Sequence, residues 1–248
     1  MALCKKEIQR RRRLNQRRRI ILDGSDDLYD YVIFLANMDG VDAQKSFTSQ
    51  DSYARVATFN GNSQFDTDQA KFGDTSLLLF GGPNDHITFP DADELSLGND
   101  SFTIECWIRW ELIQTHTSFF VSKWTTGGGN EWAVGYDYAA GSYKLWVSST
   151  GSDVIEKCVW ANSPTLGEWI HIAATFDGTT YRLFHNGDLV DSDVSSTTLA
   201  STNSLLTIGD RADGTLEFDG WIDDVRITKG HARYTDDFDV PTKAFPTS

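Results

Sequence analysis

Hydrophobic and polar residues alternate along two segments of the chain with the period expected of half-buried β-strands. Residues 102–110 (FTIECWIRW) place an apolar side chain at every second position, with Thr103, Glu105 and Arg109 between them. Residues 169–176 (WIHIAATF) alternate in the same way. Because successive side chains of a strand point to opposite faces, each segment predicts a strand with one face directed into a core.

Short runs of β-type residues recur along the rest of the chain, each bounded by Gly, Asn, Asp or Ser. The dipeptides Asp177-Gly178 and Asn186-Gly187 are typical of two-residue turns in β-hairpins. No segment beyond the N-terminal residues has the apolar period of about 3.6 residues that an amphipathic helix requires. The pattern therefore predicts an all-β fold with two antiparallel sheets in a sandwich. The predicted strands are residues 29–36, 53–59, 75–80, 86–89, 102–110, 117–124, 131–138, 142–148, 153–160, 169–176, 180–186, 204–208 and 216–228.

Charge is divided unevenly along the chain. Residues 1–19 contain nine Lys and Arg and one acid, so they carry +8, whereas residues 20–248 carry −22. A split of this kind marks a tail with a partner of its own. We therefore predict a basic anchoring arm, residues 1–22, in front of a folded domain, residues 23–248. The anchoring residues are predicted to be Arg10, Arg11, Arg12, Arg13, Arg17, Arg18 and Arg19.

Two kinds of partner suit the arm equally well. Its bases would release counterions from a nucleic acid, which makes binding depend steeply on salt. They would equally pair with carboxylates in an acidic groove of a neighbouring protein. The strongly acidic remainder of the chain is expected to repel acidic polysaccharides, and added salt would relieve that repulsion.

The chain has three cysteines, Cys4, Cys106 and Cys158, which is an odd number with no metal-like spacing. Cys106 lies in an alternating strand and is expected to be a small buried residue, although a Cys106–Cys158 disulfide remains an alternative. The basic N-terminal run lacks the apolar region of a secretory signal. No segment approaches the roughly 20 apolar residues of a membrane span.

Two stretches in the C-terminal half carry a family resemblance. Residues 167–190 (GEWIHIAATFDGTTYRLFHNGDLV) and 218–235 (FDGWIDDVRITKGHARYT) resemble the paired signatures of laminin-G-like jelly rolls in the concanavalin A-like lectin/glucanase superfamily. The resemblance extends over about residues 28–240 and implies a jelly-roll sandwich. Residues 226–246 are similar to the form found in tailed-phage members, which implies a place in a virion.

The resemblance also implies one structural calcium ion where the first and last strands meet. The matching positions are Asp39 and Asp223, with a further oxygen ligand near Gly82 or from Asn84. Such hard cations prefer carboxylate and carbonyl oxygens. Asp224 is expected to point to the opposite face of the strand if the strand is regular. The alternative is that these acids only cap turns or face solvent.

Glycan binding would need aromatic side chains on which a sugar ring can stack, with polar groups beside them. Trp124, Trp132 and Tyr136 are the candidates, clustered around one hairpin with the glycine-rich residues 125–130. The alternative is that these rings fill the core of the sandwich. A possible host-surface glycan is the small-ligand partner that this cluster implies.

Catalysis is not expected. Glucanases of this superfamily place their carboxylates on one strand in an E-x-D-x-x-E pattern, and hydrolysis needs such a pair. The nearest string starts at Glu217 and Asp219 but has Ile222 where the second glutamate would stand. The five histidines form no metal-like cluster, and His171 is expected to be structural.

Together these features predict a phage virion structural protein: a capsid decoration protein, a head fibre or a tail component. The arm would bind other virion proteins and the jelly roll would face outward, as part of an oligomeric assembly, with possible glycan binding. The alternatives are a stand-alone carbohydrate-binding lectin module and, less favoured, a glycan hydrolase.

Overall fold

The structure is a computed structural model that describes residues 25–248. These residues form fifteen strands, numbered in chain order, and two short 3-10 helices at Tyr29–Tyr31 and Asp93–Leu95. All strand pairs within the two sheets are antiparallel. The predicted all-β sandwich is therefore confirmed. The anchoring arm predicted for residues 1–22, with its seven arginines, lies outside the described residues.

The larger sheet has eight strands in the order β13-β12-β11-β6-β15-β4-β3, and β1 pairs with β15 beside this path. The closing strand β15 lies at the centre of this sheet, bonded to β6 along most of its length. The strands are β1 (Val32–Ala36), β3 (Gln64–Asp66), β4 (Ser76–Phe80), β6 (Phe102–Trp110), β11 (Trp169–Phe176), β12 (Thr180–His185), β13 (Asp188–Val194) and β15 (Asp219–Lys229).

The smaller sheet has seven strands in the order β10-β9-β8-β7-β14-β5-β2. Its central strands carry the large aromatic side chains that the sequence places at alternate positions. The strands are β2 (Thr58–Asn60), β5 (His86–Phe89), β7 (Ser118–Lys123), β8 (Trp132–Asp137), β9 (Ser142–Val147), β10 (Ile155–Ala161) and β14 (Leu206–Ile208).

The main core lies between the two sheets and contains the inward-facing side chains of both. Trp110 from the larger sheet packs edge-on against Phe120 and Tyr136 from the smaller sheet, with ring centroids 5.7 and 5.8 Å apart. Cys106 and Cys158 are both buried in this core and both free, so they do not form the alternative disulfide. None of the helices in residues 25–248 has the length and hydrophobicity needed to cross a bilayer.

The C-terminal residues cover part of the outer face of the larger sheet. Tyr234 and Phe238 stack on each other at 3.5 Å, and the Tyr234 hydroxyl donates to Glu105 on β6. Asp26 accepts hydrogen bonds from Arg226 on β15 and from Arg233. These contacts occupy one end of the outer face and leave its other end for the residues described next.

Candidate ligand-binding face

Three side chains form a line across the outer face of the larger sheet, near the beginning of β15. Trp169 on β11 is directly opposite Arg109 on β6, and Arg109 is directly opposite Trp221 on β15. Trp169 and Arg109 are partly exposed, and Trp221 is 8% exposed. We call these three residues the Trp-Arg-Trp row. Their neighbours in the alternating strands point inward and are buried in the core: Ile108, Ile170 and Ile222.

The guanidinium group of Arg109 is oriented by its neighbours, but one of its N–H groups has no hydrogen-bond acceptor within residues 25–248. Its Nε donates to Gln69 Oε1 at 2.9 Å, and its centre lies 5.6 Å from the Trp221 ring centroid. Its Nη1 is buried and has no hydrogen-bond partner among the described residues. Gly167 packs against that nitrogen, and a Cβ at this position would come within 3.1 Å of it. Arginine has several fixed N–H donors and is always charged, so an unmatched N–H marks Arg109 as a candidate contact for an acceptor.

Arg109 differs in this respect from every other arginine of residues 25–248. None of its nitrogens lies within 4.0 Å of a carboxylate oxygen in the described part of the chain. The remaining arginines all pair with carboxylates at or below 3.2 Å: Arg55, Arg182, Arg211, Arg226 and Arg233. In a chain with this excess of acids, an arginine without a carboxylate is the exception.

The next line of side chains on the same face is covered by another segment of the chain. His171, Trp107 and Asp223 are opposite one another on β11, β6 and β15, and all are buried. Lys71 covers them, with its Nζ 3.8 Å from the Trp107 ring centroid. The backbone N–H groups of Lys71 and Phe72 donate to Asp223 Oδ2 at 2.9 and 3.1 Å. The segment around Lys71 therefore covers this line and leaves Trp169 and Arg109 partly exposed beside it.

His171 has the structural role that its place in an alternating strand suggests. Its side chain is buried, and its Nε2 lies 3.3 Å from Glu105 Oε2. The ring also packs against Trp107, with centroids 5.0 Å apart.

Two of the three predicted calcium ligands are near each other. Burial raises the pKa of Asp223 to about 7, and the negative charge of Asp39 adds to the rise. Asp223 Oδ1 is buried without a hydrogen-bond donor, as a carboxylate oxygen facing a cation or a proton would be. Asp39 is exposed and accepts a hydrogen bond from the Asp74 N–H at 2.9 Å.

The third predicted ligand, Asn84, is elsewhere. It lies beyond β4, exposed and beside Gly214. Ile222 pairs with Leu77 and Asp219 with Phe80, so Asn84 lies more than the length of this paired segment, about 10 Å, from the level of Asp223. No group of three His, Cys, Asp or Glu residues suited to a metal occurs within residues 25–248. The prediction that Asn84 joins Asp39 and Asp223 is therefore wrong.

Asp224 also differs from the expectation for a regular strand. The strand is irregular between Asp223 and Arg226, and Asp224 has a positive φ of 51°. Its carboxylate is buried and accepts hydrogen bonds from Asn37 Nδ2 and from the Phe245 N–H. The carboxylates of Asp223 and Asp224 are thus both buried. Burial raises the pKa of Asp224 to about 8, and the negative charge of Asp223 adds to the rise.

The three aromatic residues predicted to bind glycan are not exposed. Trp132 is fully buried and Tyr136 is 4% exposed, both in the main core. Trp124 is 5% exposed and packs against Phe119 on the outer face of the smaller sheet. None presents a ring face to which a sugar has access, because alternation directs Trp132 and Tyr136 inward and neighbouring side chains cover Trp124. The alternative, that the rings fill hydrophobic clusters, is what the structure has.

Sequence reasoning missed the Trp-Arg-Trp row. Alternation in residues 102–110 and 169–176 does place Arg109 and Trp169 on faces opposite the core. It gives no strand register, and only the register brings Trp169, Arg109 and Trp221 together.

The two sheets and their order place the chain in the class of jelly-roll sandwich domains. The family profile described as the concanavalin A-like lectin/glucanases superfamily, Laminin_G_3, matches residues 80–233, and the chain belongs to this family. A comparison with curated proteins found no match.

Solved structures of similar fold include several binding domains. One is the binding domain of Paraclostridial Mosquitocidal Protein 1, with a TM-score of 0.63, 16% identity, and 83% of this chain and 50% of that chain covered. Another is domain 4 of AbnA, a GH43 extracellular arabinanase from Geobacillus stearothermophilus, in complex with arabinotriose. Its TM-score is 0.59 and its sequence identity is 21%, with 80% of this chain and 92% of that chain covered. The Botulinum neurotoxin serotype G binding domain has a TM-score of 0.58 and 15% sequence identity, with 85% of this chain and 49% of that chain covered.

The chain spans about half the length of the mosquitocidal and neurotoxin chains. At these identities the likeness shows a shared fold.

Proposed function

We propose that this domain binds a glycan through the Trp-Arg-Trp row. The observation that carries the proposal is the row itself: a partly exposed tryptophan, Trp169, stands directly opposite a partly exposed arginine, Arg109, and the buried ring of Trp221 lies on the other side of that arginine. The apolar face of a sugar ring packs on an aromatic ring, and a charged group beside it fixes the orientation through hydrogen bonds.

Two further observations support this function. The family includes lectins. The similar domain 4 of AbnA was solved with arabinotriose. By analogy of fold, which is a weaker argument than the site itself, a sugar is the class of ligand to test first.

A glycan array followed by calorimetry tests the proposal. Trp169→Ala should abolish binding while leaving the melting temperature within a few degrees of wild type, because Trp169 is partly exposed. Tyr138→Ala is the matched control, since Tyr138 is 46% exposed and lies in the turn that follows β8, away from the larger sheet. Equal binding by wild type and Trp169→Ala, or no glycan bound at all, would contradict the proposal.

We further propose that the domain is a virion component, attached through residues 1–19. The charge split of +8 against −22 supports this role, together with the resemblance of residues 226–246 to tailed-phage proteins. Deleting residues 1–19 should leave a folded domain that no longer joins its assembly. Incorporation of the truncated protein at wild-type occupancy would overturn the attachment. A loss of nucleic-acid binding on deletion, with assembly intact, would assign the arm to nucleic acid instead.

We propose no catalytic role for this domain. Ile222 stands where the glucanase pattern needs a second glutamate, and it is buried in the core. Glu217 lies 3.6 Å from the His116 ring and Asp219 accepts a hydrogen bond from Gln114 at 3.0 Å, so both acids have local partners. Release of reducing ends from any polysaccharide would contradict this proposal.

A further inference from the structure

We propose that Arg109 recognises a carboxylate group on the bound sugar, so that the ligand is a saccharide with an isolated acidic residue, such as a uronic acid. This inference rests on the proposed glycan-binding function and specifies the ligand of the same site. It starts from the one arginine of residues 25–248 that lacks a carboxylate within 4.0 Å.

The chemistry of the site favours a planar anion. The Arg109 guanidinium is oriented by its hydrogen bond to Gln69 and by the Trp221 ring, while Nη1 remains without an acceptor. A guanidinium group binds a carboxylate through two parallel hydrogen bonds, and these are stronger than bonds between neutral groups. Because Gln69 uses only Nε and Nη1 is buried, Nη2 is the nitrogen that a carboxylate arriving from solvent would reach first, with the unmatched Nη1 behind it.

Gly167 keeps a side chain away from the guanidinium. It is exposed, has a φ of 76°, and any Cβ there would come within 3.1 Å of Arg109 Nη1 and 3.7 Å of Nη2. Trp169, two residues further along, is paired directly opposite Arg109 in the neighbouring strand. A sugar that stacks on the Trp169 ring therefore has its ring substituents close to the arginine.

The surrounding charge restricts the ligand further. Residues 20–248 carry −22, and like charges repel over a Debye length of about 8 Å at physiological salt. A polymer with a carboxylate on every residue would meet that repulsion along its whole length. One carboxylate among neutral sugars gains the contact with Arg109 while adding little repulsion elsewhere. We infer that the site prefers sparsely charged saccharides to polyanions.

The experiment compares two forms of one oligosaccharide. The first contains a single glucuronic acid residue, and the second is the same molecule after reduction of that carboxylate to the alcohol, which gives glucose. Wild-type protein should bind the acidic form about tenfold more tightly in calorimetry, the effect of a hydrogen-bonded charge pair. Arg109→Gln should bind both forms equally, at the affinity of the reduced form. Arg211→Gln removes a charge from an arginine that already pairs with Asp213, and should keep the preference.

Each outcome has a distinct meaning. Equal binding of both forms by wild type would overturn the carboxylate assignment and leave the glycan-binding function standing, whereas binding of neither form and of no glycan on the array would remove that function. A preference that persists in Arg109→Gln would place carboxylate recognition elsewhere. Tighter binding of the reduced oligosaccharide carrying one sulfate ester than of the acidic form would also overturn the assignment. If Arg109→Gln does not fold, Arg109→Lys keeps the charge without the planar group and should lower the preference several-fold.

Discussion

Arg226 on β15 donates two hydrogen bonds to one carboxylate oxygen of Glu105 on β6, from Nε at 2.9 Å and from Nη2 at 2.8 Å, with both side chains buried. Burial alone would raise the pKa of Glu105, but the charge of Arg226 and the contact with His171 lower it to about 2. Asp26 accepts a hydrogen bond from Arg226 on its other side at 3.0 Å. This charged group joins the first described residues to the two central strands.

Removing the charge of Glu105 should therefore destabilise the domain strongly. Glu105→Gln leaves Arg226 buried without its main partner, and breaking a buried pair in this way costs about 3–5 kcal/mol in the free energy of unfolding. Glu156→Gln is the control, because Glu156 pairs with Lys144 but is 46% exposed, and should cost less than about 1 kcal/mol. Urea denaturation measures both, and similar losses for the two variants would contradict the buried pair's role.

The same residue predicts acid sensitivity. The pKa of Glu105 lies below its ordinary value of 4.5 in the folded state, at about 2, so the unfolded state binds the proton more tightly. Its contribution is fully present above pH 4.5 and is lost as the pH falls towards 2. Stability curves of wild type and Glu105→Gln should converge over this range. Curves that stay parallel would show that the pKa is not lowered.

Asp224 should have the opposite effect on pH dependence. Burial and Asp223 raise its pKa from 3.8 to about 8, so the folded state binds the proton more tightly and stability falls as the pH rises between these values. Asp224→Asn keeps the acceptor for the Phe245 N–H and tolerates the positive φ of this position. The variant should melt at a higher temperature than wild type above pH 8 and differ little below pH 4. A lower melting temperature in alkali would contradict this.

A calcium ion remains a prediction for the pair Asp39 and Asp223. An ion that binds only the folded state stabilises it, so chelation should lower the melting temperature and Asp223→Ala should remove that sensitivity. Asn84→Ala is the matched control and should leave the response to calcium unchanged, because Asn84 is on a different loop. Identical melting curves with calcium and with chelator would contradict a bound calcium ion.

Two tryptophan substitutions should separate packing from binding. Trp132→Ala removes a fully buried ring from the main core and should cost about 3–5 kcal/mol in the free energy of unfolding. Trp169→Ala should change stability by less than about 1 kcal/mol and remove glycan binding. Chemical denaturation and calorimetry on the same preparations measure both effects. Retained glycan binding by a folded Trp169→Ala protein would exclude the Trp-Arg-Trp row as the site.

Sequence alternation predicted the fold well wherever a strand has one buried face. The strands His86–Phe89, Phe102–Trp110 and Trp169–Phe176 have the predicted bounds. The two edge strands of the larger sheet, β13 and β3, were missed, and β13 shows why. Asp188–Val194 contains three aspartates and none of its side chains is buried, so no apolar face needs to appear in the sequence. Strand β3 (Gln64–Asp66) was missed because three residues are too few to show an alternating pattern.

The candidate site was less accessible to prediction. Aromatic residues near a glycine-rich segment pointed to Trp132, whose alternation with Ala133 directs it into the core. The residues of the Trp-Arg-Trp row are far apart in sequence, and their meeting depends on how β6, β11 and β15 are aligned. Asp224 shows the same limit on a smaller scale. Its burial follows from a bulge in β15, and a bulge leaves no apolar pattern to read.

The position of β15 has a mechanical consequence. Trp221 and Arg226 lie on this one strand, and Arg226 binds Asp26, next to the predicted arm. Tension between a captured ligand and an anchored arm would therefore run lengthwise along β15. Its hydrogen bonds to β6 on one side, and to β4 and β1 on the other, would be loaded together in shear instead of opening one after another. A domain loaded in this direction would resist unfolding through all of these hydrogen bonds at once.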